Sequence, residues 1–437
     1  MTPMTIGVLG VVGLMVIAAL RAPIGLALII SGFVGLWVLH GSKTALFVLA
    51  NAPITVLSSY TLSVLPLFVL MGTVAVKGGL AEALYRAAYA FVGDRRGGLA
   101  IASIVACGGF GSICGSSVAT VSTLGRVSIP EMLRYGYSKQ LAAGSLAAGG
   151  TLGILIPPSV AMIIYAMVTQ TSLGRLFAAG IIPGILATIL YCLATSAWMR
   201  FKPEMGPAGP KTPWPERWRS LRGVWGVAAL FGIVMGGMFT GIFSPTEGAS
   251  VGAFGAIVLG FLQRELTVPK LFDAVVEAVQ TSVMILFAVI GISVFEYFLQ
   301  AARVPQGVEE LVRTLGWGPT GTMIVIIGVL IILGCFLDSI AILFIVTPVI
   351  FPIVSGFGYD PIWFGIIMVM VVEFGLITPP FGMNVFVLTK VVPGITTGEA
   401  FSGVYPYIAA DIVRIGLLIL FPAIVLWLPN LLYGVAP

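Results

Sequence analysis

The chain has 437 residues, of which 59% are hydrophobic and only 9% charged, and its mean hydropathy is +1.10. Soluble domains carry about 25% charged residues, so this composition excludes an ordinary soluble enzyme and predicts an all-α, polytopic membrane protein. The 22 Lys and Arg residues exceed the 17 Asp and Glu residues by five without forming a basic, aromatic-rich patch, so no nucleic-acid partner is expected.

The N-terminal region contains four apolar segments followed by an amphipathic one. Membrane length predicts spanning helices at 6–20, 24–39 and 62–76, and a shorter connecting or interfacial helix at 44–58. Charged residues then recur at helical intervals between 78 and 98, which is typical of a helix that lies at the membrane interface.

The next segment, 99–125, is apolar but interrupted by glycines and hydroxyl residues. It is too broken for one membrane span and too apolar for a soluble loop. We predict a re-entrant helical hairpin with its tip near Gly115, beside the hydroxyl cluster of Ser116, Ser117 and Thr120.

A helix break follows this hairpin. The motif GILIPP at 153–158 lies inside a long apolar run, and hydrocarbon offers no water to satisfy freed backbone groups. Such breaks survive where protein covers them or where they line a polar cavity, so the motif predicts a binding site near the membrane midplane. We predict an unwound stretch at 151–159, which contains Thr151, Gly153, Pro157 and Ser159.

The second half repeats this order of segments. Predicted spans at 176–198, 224–240, 248–262 and 282–299 are separated by a cation-rich, cytoplasmic linker at 200–222 and an amphipathic connector at 267–279. A second hairpin is predicted at 321–354, and a second break at the motif GLITPP, 375–380. These two features supply Asp338, Ser339, Gly375, Thr378, Pro379, Gly382 and Asn384.

The two halves align at constant offsets. The matches are Gly111 with Gly334, Ser116 with Ser339, Pro130 with Pro352, Gly153 with Gly375 and Gly174 with Gly398, separated by 222 to 224 residues. This spacing predicts an internal duplication. The number of spans leaves the orientation of the copies open, and inversion is the commoner arrangement in transporters with discontinuous helices.

These features suit binding of a cation together with an anion. Sodium favours several hard oxygen donors, which hydroxyls and unwound carbonyls supply, while half-helix N-termini favour an anionic group. The competing interpretation is that small and hydroxyl residues only allow helices to pack closely in the membrane. The four cysteines have no spacing typical of a disulfide framework or a transition-metal site.

Several charged residues lie in apolar surroundings, where each is costly. Glu247 fits a capping box begun by Ser244, and Asp411 is expected to pair with Arg414 three residues later. Asp338 is a candidate cation neighbour or hairpin-tip cap, whereas Glu373 could either steady the second break or titrate.

The chain resembles the large membrane subunit of tripartite ATP-independent periplasmic (TRAP) transporters, the DctM-like family. The stretches that carry the resemblance are PLFVLMGTVAVKGGLAEAL, GSSVATVSTLGRVSIPEMLRYGY, GGTLGILIPPSVAMIIYAMVT, SPTEGAS, FLDSIAILFIVTPVIFPI and YDPIWFGIIMVMVVEFGLITPPFGMNVFV. The resemblance implies a sodium-coupled, elevator-type importer of an organic anion, expected to be a carboxylate, in the bacterial inner membrane. It also implies a periplasmic substrate-binding protein and a small four-helix membrane subunit, here expected as a separate chain.

The resemblance further implies a division of the chain. Scaffold helices and an interfacial helix occupy 1–98, transport-domain repeats occupy 99–175 and 321–400, further scaffold helices occupy 176–320, and C-terminal helices occupy 401–437. Carried over residue by residue, the sodium ligands are Gly115, Ser116, Ser117, Thr120, Thr151, Gly153, Asp338, Ser339, Gly375 and Thr378. The substrate contacts are Pro157, Ser159, Pro379, Gly382 and Asn384.

Three other functions compete with this one. A stand-alone anion or ion antiporter of the same hairpin superfamily would work without a binding protein. A membrane-embedded enzyme is disfavoured because no acid, base and nucleophile occur together at a usable spacing, and a passive channel because the half-helices are duplicated. The sequence has no P-loop, HExxH motif or nucleophile elbow, so coupling to ATP or hydrolysis within this chain is unsupported. Sequence does not name the transported anion.

Overall fold

The computed structural model describes residues 2–20 and 22–434; the last three residues of the predicted unit 401–437 therefore lie outside it. The described chain forms twenty α-helices and two short 3₁₀ turns at Tyr60–Ser63 and Pro203–Met205. The helices are α1 (Pro3–Ala19), α2 (Ile24–His40), α3 (Ser42–Leu57), α4 (Val64–Lys77), α5 (Leu80–Val92), α6 (Gly98–Cys114), α7 (Ser117–Arg134), α8 (Lys139–Leu155), α9 (Val160–Thr169), α10 (Leu173–Phe201), α11 (Trp214–Phe239), α12 (Pro245–Leu262), α13 (Val268–Ala301), α14 (Val304–Leu315), α15 (Gly318–Phe336), α16 (Ser339–Gly356), α17 (Pro361–Gly375), α18 (Met383–Val391), α19 (Thr397–Leu420) and α20 (Ala423–Tyr433).

This architecture confirms an all-helical, multi-pass membrane protein. In the described chain, seven helices are long and apolar enough to cross a membrane: α10, α11, α12, α13, α15, α16 and α19. Two bent pairs, α4 with α5 at 63° and α8 with α9 at 42°, raise the number to nine if each pair counts as one broken span.

Both predicted hairpins are present as pairs of helices separated by a two-residue break. α6 ends at Cys114 and α7 begins at Ser117, with Gly115 at φ +64°. α15 ends at Phe336 and α16 begins at Ser339. In each hairpin the two helices pack against each other, so the tips lie at the breaks that the sequence predicts.

The first helix break is shorter than predicted. α8 continues to Leu155 and α9 starts at Val160, so Thr151 and Gly153 are helical and only 156–159 is unwound. The cause is local: a residue before proline is driven to extended backbone, and Ile156, before Pro157, has φ −85° and ψ 123°. The second break runs from 376 to 382, and the Pro157-Pro158 and Pro379-Pro380 peptide bonds are both cis.

The two hairpin-and-break regions pack against each other in a reciprocal way. α7, from the first region, packs against α18 of the second, and α16, from the second, packs against α9 of the first. Within each region, the first hairpin helix packs against the helix that precedes the break: α6 on α8 and α15 on α17. A two-fold-related pair of repeats predicts this reciprocal pattern.

Two predictions for the surrounding helices were wrong in part. The proposed connector 267–279 and span 282–299 form the single helix α13, because no proline or glycine interrupts the chain between Pro269 and Gly291. The predicted linker 200–222 is also partly helical, since α11 begins at Trp214.

Candidate functional site

A cavity of about 350 Å³ lies between the two hairpin tips. Gly115 and Ser116 reach it from the first tip, and Ser339 and Ile340 from the second. The cavity is therefore at the place where the two hairpin-and-break regions converge.

Hydroxyl groups dominate the polar part of the cavity wall. Ser122 and Thr123 of α7, Thr73 of α4 and Thr281 of α13 line it, and Glu277 of α13 is the one carboxylate among the described residues that line it. Such a wall offers neutral oxygen donors of the kind that a hard cation prefers.

The first hairpin tip is fixed against the first helix break. The Val160 backbone N–H donates to the Gly115 carbonyl at 3.4 Å, and a Cβ on Gly115 would lie only 2.7 Å from the Pro158 carbonyl oxygen. Ser116 accepts from the Ala119 N–H at 3.4 Å, and so caps α7. The N-terminal ends of α7 and α9, which carry the positive ends of two helix dipoles, therefore meet beside the cavity.

A buried carboxylate fixes the second hairpin tip. Ser339 Oγ donates to Glu373 Oε1 at 3.2 Å, and Glu373 is only 1% exposed within α17. Asp338 accepts from the Ile340 N–H at 2.6 Å and is the N-cap of α16. The sequence left two alternatives for each acid. The geometry supports Asp338 as the cap of the hairpin tip rather than a cation neighbour, and Glu373 as a residue that steadies this region through Ser339.

Asn384 joins the two regions through its side chain. Its Nδ2 donates to the Ala147 carbonyl at 3.1 Å, and Ser117 Oγ donates to its Oδ1 at 3.3 Å. Both side chains are buried, and they link α18 to α7 and α8. This link crosses from one hairpin-and-break region to the other.

Thr151 belongs to a different polar cluster, away from the tip. Its Oγ1 donates to the Ala148 carbonyl at 2.7 Å and lies 3.1 Å from the Tyr191 hydroxyl, which in turn donates to Asp411 Oδ2 at 2.7 Å. Asp411 pairs with Arg414 at 2.8 Å, and both are buried, so the predicted ion pair is confirmed. The capping box of Ser244 and Glu247 is confirmed as well.

Comparison with known proteins assigns the family. The family described as "Tripartite ATP-independent periplasmic transporter, DctM component" matches residues 11–424. This chain belongs to the DctM family. It is 39% identical over 373 residues to the C4-dicarboxylate TRAP transporter large permease protein DctM of Pseudomonas aeruginosa, covering 85% of this chain and 86% of that protein.

A second DctM relative is longer. The chain is 35% identical over 351 residues to the isethionate TRAP transporter permease protein DctMQ of Oleidesulfovibrio alaskensis, which covers 78% of this chain and 54% of that protein. The crystal structure of the Alcanivorax borkumensis YdaH transporter matches with a TM-score of 0.63 at 14% identity, covering 88% of this chain and 90% of that one. That similarity shows a shared fold.

In this DctM-family chain, the predicted site residues fall into two groups. Gly115, Ser116 and Ser339 line the cavity. The remaining residues lie elsewhere: Ser117, Thr120, Thr151, Gly153, Pro157, Ser159, Asp338, Gly375, Thr378, Pro379, Gly382 and Asn384. Among this second group, Thr120 Oγ1 donates to the Ser116 carbonyl at 2.8 Å, and Thr378 Oγ1 donates to the Phe374 carbonyl at 2.6 Å.

The sequence did not predict the part of the cavity wall that α4 and α13 contribute. Thr73, Glu277 and Thr281 line the cavity, although none of them belongs to a hairpin or a break. A signal was available, because Glu277 and Thr281 are four residues apart and therefore share one face of α13, whose first half also carries Lys270 and Asp273.

Proposed function

We propose that this chain is the transport subunit of a sodium-coupled TRAP importer of an organic anion in the bacterial inner membrane. The observation that carries the proposal is the cavity between the two hairpin tips, with a hydroxyl-rich wall and two helix N-termini beside it. Hydroxyls and free carbonyls suit a sodium ion, and helix N-termini suit a carboxylate or sulfonate. Names of relatives support the anion class, since they include a C4-dicarboxylate and an isethionate permease.

For sodium, we keep two sets of the ligands predicted from sequence and leave out Thr151, which joins the Tyr191 cluster. One set includes Gly115 and Ser116 at the first tip, and the other includes Ser339 at the second tip and Thr378 in the second break. Each tip lies against a helix break, so sodium bound there would hold the tip closed over the cavity. Bound sodium would then raise the affinity for the substrate, and bound substrate would raise the affinity for sodium.

An elevator motion and an inverted duplication complete the proposal. Helices of each hairpin-and-break region pack against helices of the other, α7 on α18 and α16 on α9. This reciprocal packing supports one mobile body built from two repeats. The surrounding helices, including α4, α12 and α13, would form the scaffold against which that body moves.

Two partners are proposed: a small four-helix membrane subunit and a periplasmic binding protein. The longer DctMQ relative supports the first, because this chain spans about half of that relative and its name joins DctM to a further component.

Reconstitution in proteoliposomes tests the proposal. The chain is purified with its small subunit, and uptake of labelled succinate and isethionate is measured with the binding protein outside. Three conditions are compared: an inward sodium gradient, equal sodium on both sides, and an inward potassium gradient. We expect rapid uptake only with the sodium gradient and the binding protein.

Other results would change the function. Equal uptake in sodium and potassium would contradict sodium coupling, and full uptake without the binding protein would favour the stand-alone antiporter. Downhill flux of both anions in the absence of any gradient coupling would favour a channel.

A further inference from the structure

A partly exposed ion pair lies at one end of the cavity. Lys77 Nζ is 3.3 Å from Glu277 Oε2, and the two side chains are 35% and 53% exposed. Lys77 is the last residue of α4; it directly follows the lining residue Val76 and is one helical turn beyond the lining residue Thr73. Glu277 itself lines the cavity. The ion pair therefore connects the cavity wall to the end of α4.

The sign of the wall charge is unfavourable for an anion. Glu277 is a carboxylate, and none of the described residues that line the cavity is cationic. A substrate carboxylate that entered would be repelled by Glu277 unless a cation screened it. Lys77 is that cation, but its ammonium is already occupied by Glu277.

We propose that Lys77 is an anion-binding residue, and that a substrate carboxylate or sulfonate replaces Glu277 on its ammonium group. This inference rests on the proposed function of the cavity as an anion site. The exchange is between two anions on one cation, so the number of ion pairs is unchanged. Glu277, once released, remains a half-exposed carboxylate on α13.

The exposure of the pair makes this exchange inexpensive. Exposed ion pairs are worth only about 0–1 kcal/mol, so an incoming anion with good geometry can displace the existing partner. The buried pair of Asp411 and Arg414 is at most 1% exposed, and breaking it would leave an uncompensated buried charge. The Lys77–Glu277 pair can therefore exchange one anion for another, whereas the Asp411–Arg414 pair stabilises the fold.

A second cation follows the cavity wall on α7. Arg126 is three residues beyond the lining residue Thr123; it is exposed and makes no ion pair with any residue that the structure describes. α5, which follows Lys77 after two glycines, packs against α7. An unpaired cation on this helix would attract an anion before it reaches the hairpin tips.

Uptake kinetics with matched variants test the role of Lys77. Lys77→Gln removes the cation, Glu277→Gln releases the cation, and Lys77→Arg keeps the charge. Lys139→Gln is the control, because Lys139 forms a similarly exposed ion pair with Glu399 at 4.0 Å and lines no part of this cavity. Initial uptake rates of succinate and isethionate are measured over a range of concentrations in the reconstituted complex.

We expect Lys77→Gln to raise KM by about 3- to 10-fold and Glu277→Gln to lower it by about 3-fold, with Lys77→Arg and Lys139→Gln near the wild type. The rise should be larger for the dianion succinate than for the monoanion isethionate. A fold-stabilising pair would behave differently, because Lys77→Gln and Glu277→Gln would then shift the unfolding midpoint alike and leave KM unchanged; that result would overturn the inference.

The same experiment separates the inference from the proposed function. Opposite KM shifts in an uptake that ignores sodium would support the role of Lys77 and contradict sodium coupling. Sodium-driven uptake with unaltered KM in both variants would support the proposed function and contradict the role of Lys77. A wild-type complex that carries no carboxylate or sulfonate would contradict both.

Discussion

Gly111 of α6 and Gly153 of α8 contact each other backbone to backbone, and a Cβ on Gly111 would lie 2.5 Å from the Cα of Gly153. Gly334 of α15 and Gly375 of α17 repeat the contact, with a Cβ on Gly334 at 3.1 Å from the Cα of Gly375. Each pair holds a hairpin helix against the helix that precedes a break. Close approach of this kind is how membrane helices gain packing energy without a hydrophobic driving force.

Gly111→Ala should therefore destabilise the protein. The added methyl has no space, because its neighbours are backbone atoms of α8, and such overpacking costs about 1–3 kcal/mol. Gly236→Ala is the control, since a Cβ there meets nothing within 4 Å. Thermal unfolding in detergent should give a lower midpoint for Gly111→Ala alone; equal midpoints would contradict the close contact.

Asn384 should matter more for stability than Ser117. Asn384→Ala removes two hydrogen bonds, the one to the Ala147 carbonyl and the one from the Ser117 hydroxyl, and leaves that buried hydroxyl without its partner, whereas Ser117→Ala removes one donor to Asn384. Each lost bond costs about 0.5–1.5 kcal/mol and an unsatisfied buried group about 1–3 kcal/mol, so we expect the larger loss for Asn384→Ala. The unfolding midpoints of the two variants check the order, and the reverse order would show that the link between α18 and α8 is weak.

The buried ion pair should show strong coupling between its partners. Arg414→Gln leaves Asp411 buried without its cation, which costs about 3–5 kcal/mol. The double variant Arg414→Gln, Asp411→Asn should be more stable than Arg414→Gln alone, because both charges are gone. Unfolding midpoints of the single and double variants form the cycle, and additive losses would mean that the two groups act independently.

Ser116→Ala and Thr378→Ala should weaken sodium activation of uptake more than they weaken folding. Both hydroxyls already make local contacts, Ser116 as the cap of α7 and Thr378 to the Phe374 carbonyl, so the expected folding cost is only about 1 kcal/mol each. Thr188→Ala is a matched control, because Thr188 makes the same contact four residues back, at 2.9 Å, on α10.

The readout for these hydroxyls is the sodium concentration that gives half-maximal uptake. A several-fold rise in Ser116→Ala and Thr378→Ala, with no change in Thr188→Ala, would support the sodium sites. Unchanged sodium activation in both variants would count against the assignment of these residues as ligands.

Most of the fold could be predicted because its signals are local. The break at Pro157 and the tip at Gly115 each follow from what one residue does to the backbone at or beside it, and the cap at Asp338 was one of two alternatives that the sequence offered. The predictions that were wrong lacked such a signal: α13 was divided because its charged face resembles an interfacial helix, although nothing in its sequence ends it. Likewise, Thr151 was assigned to an unwound stretch that starts only at Ile156.

The candidate site was less predictable than the fold. Hydroxyl composition pointed to Ser116 and Ser339, which do line the cavity, but it did not separate them from Ser117, whose hydroxyl contacts Asn384. Which way a hydroxyl turns on a helix depends on the neighbours that it meets. The sequence carries no record of those neighbours when they lie 267 residues away, as for Ser117 and Asn384.

The amino-acid sequence by itself determined the membrane solvent, the two hairpins and the two breaks, because each depends on hydropathy, glycine or proline; the repeated spacing that aligns Gly111 with Gly334 stays a prediction of duplication. Only the tertiary structure decided that α7 packs on α18 and α16 on α9, that Thr151 joins Tyr191 and that Lys77 meets Glu277 at the cavity. Contacts between distant helices are set by how whole helix faces fit together within the bilayer. Local sequence therefore specifies where a helix ends, and packing specifies which side chains share a site.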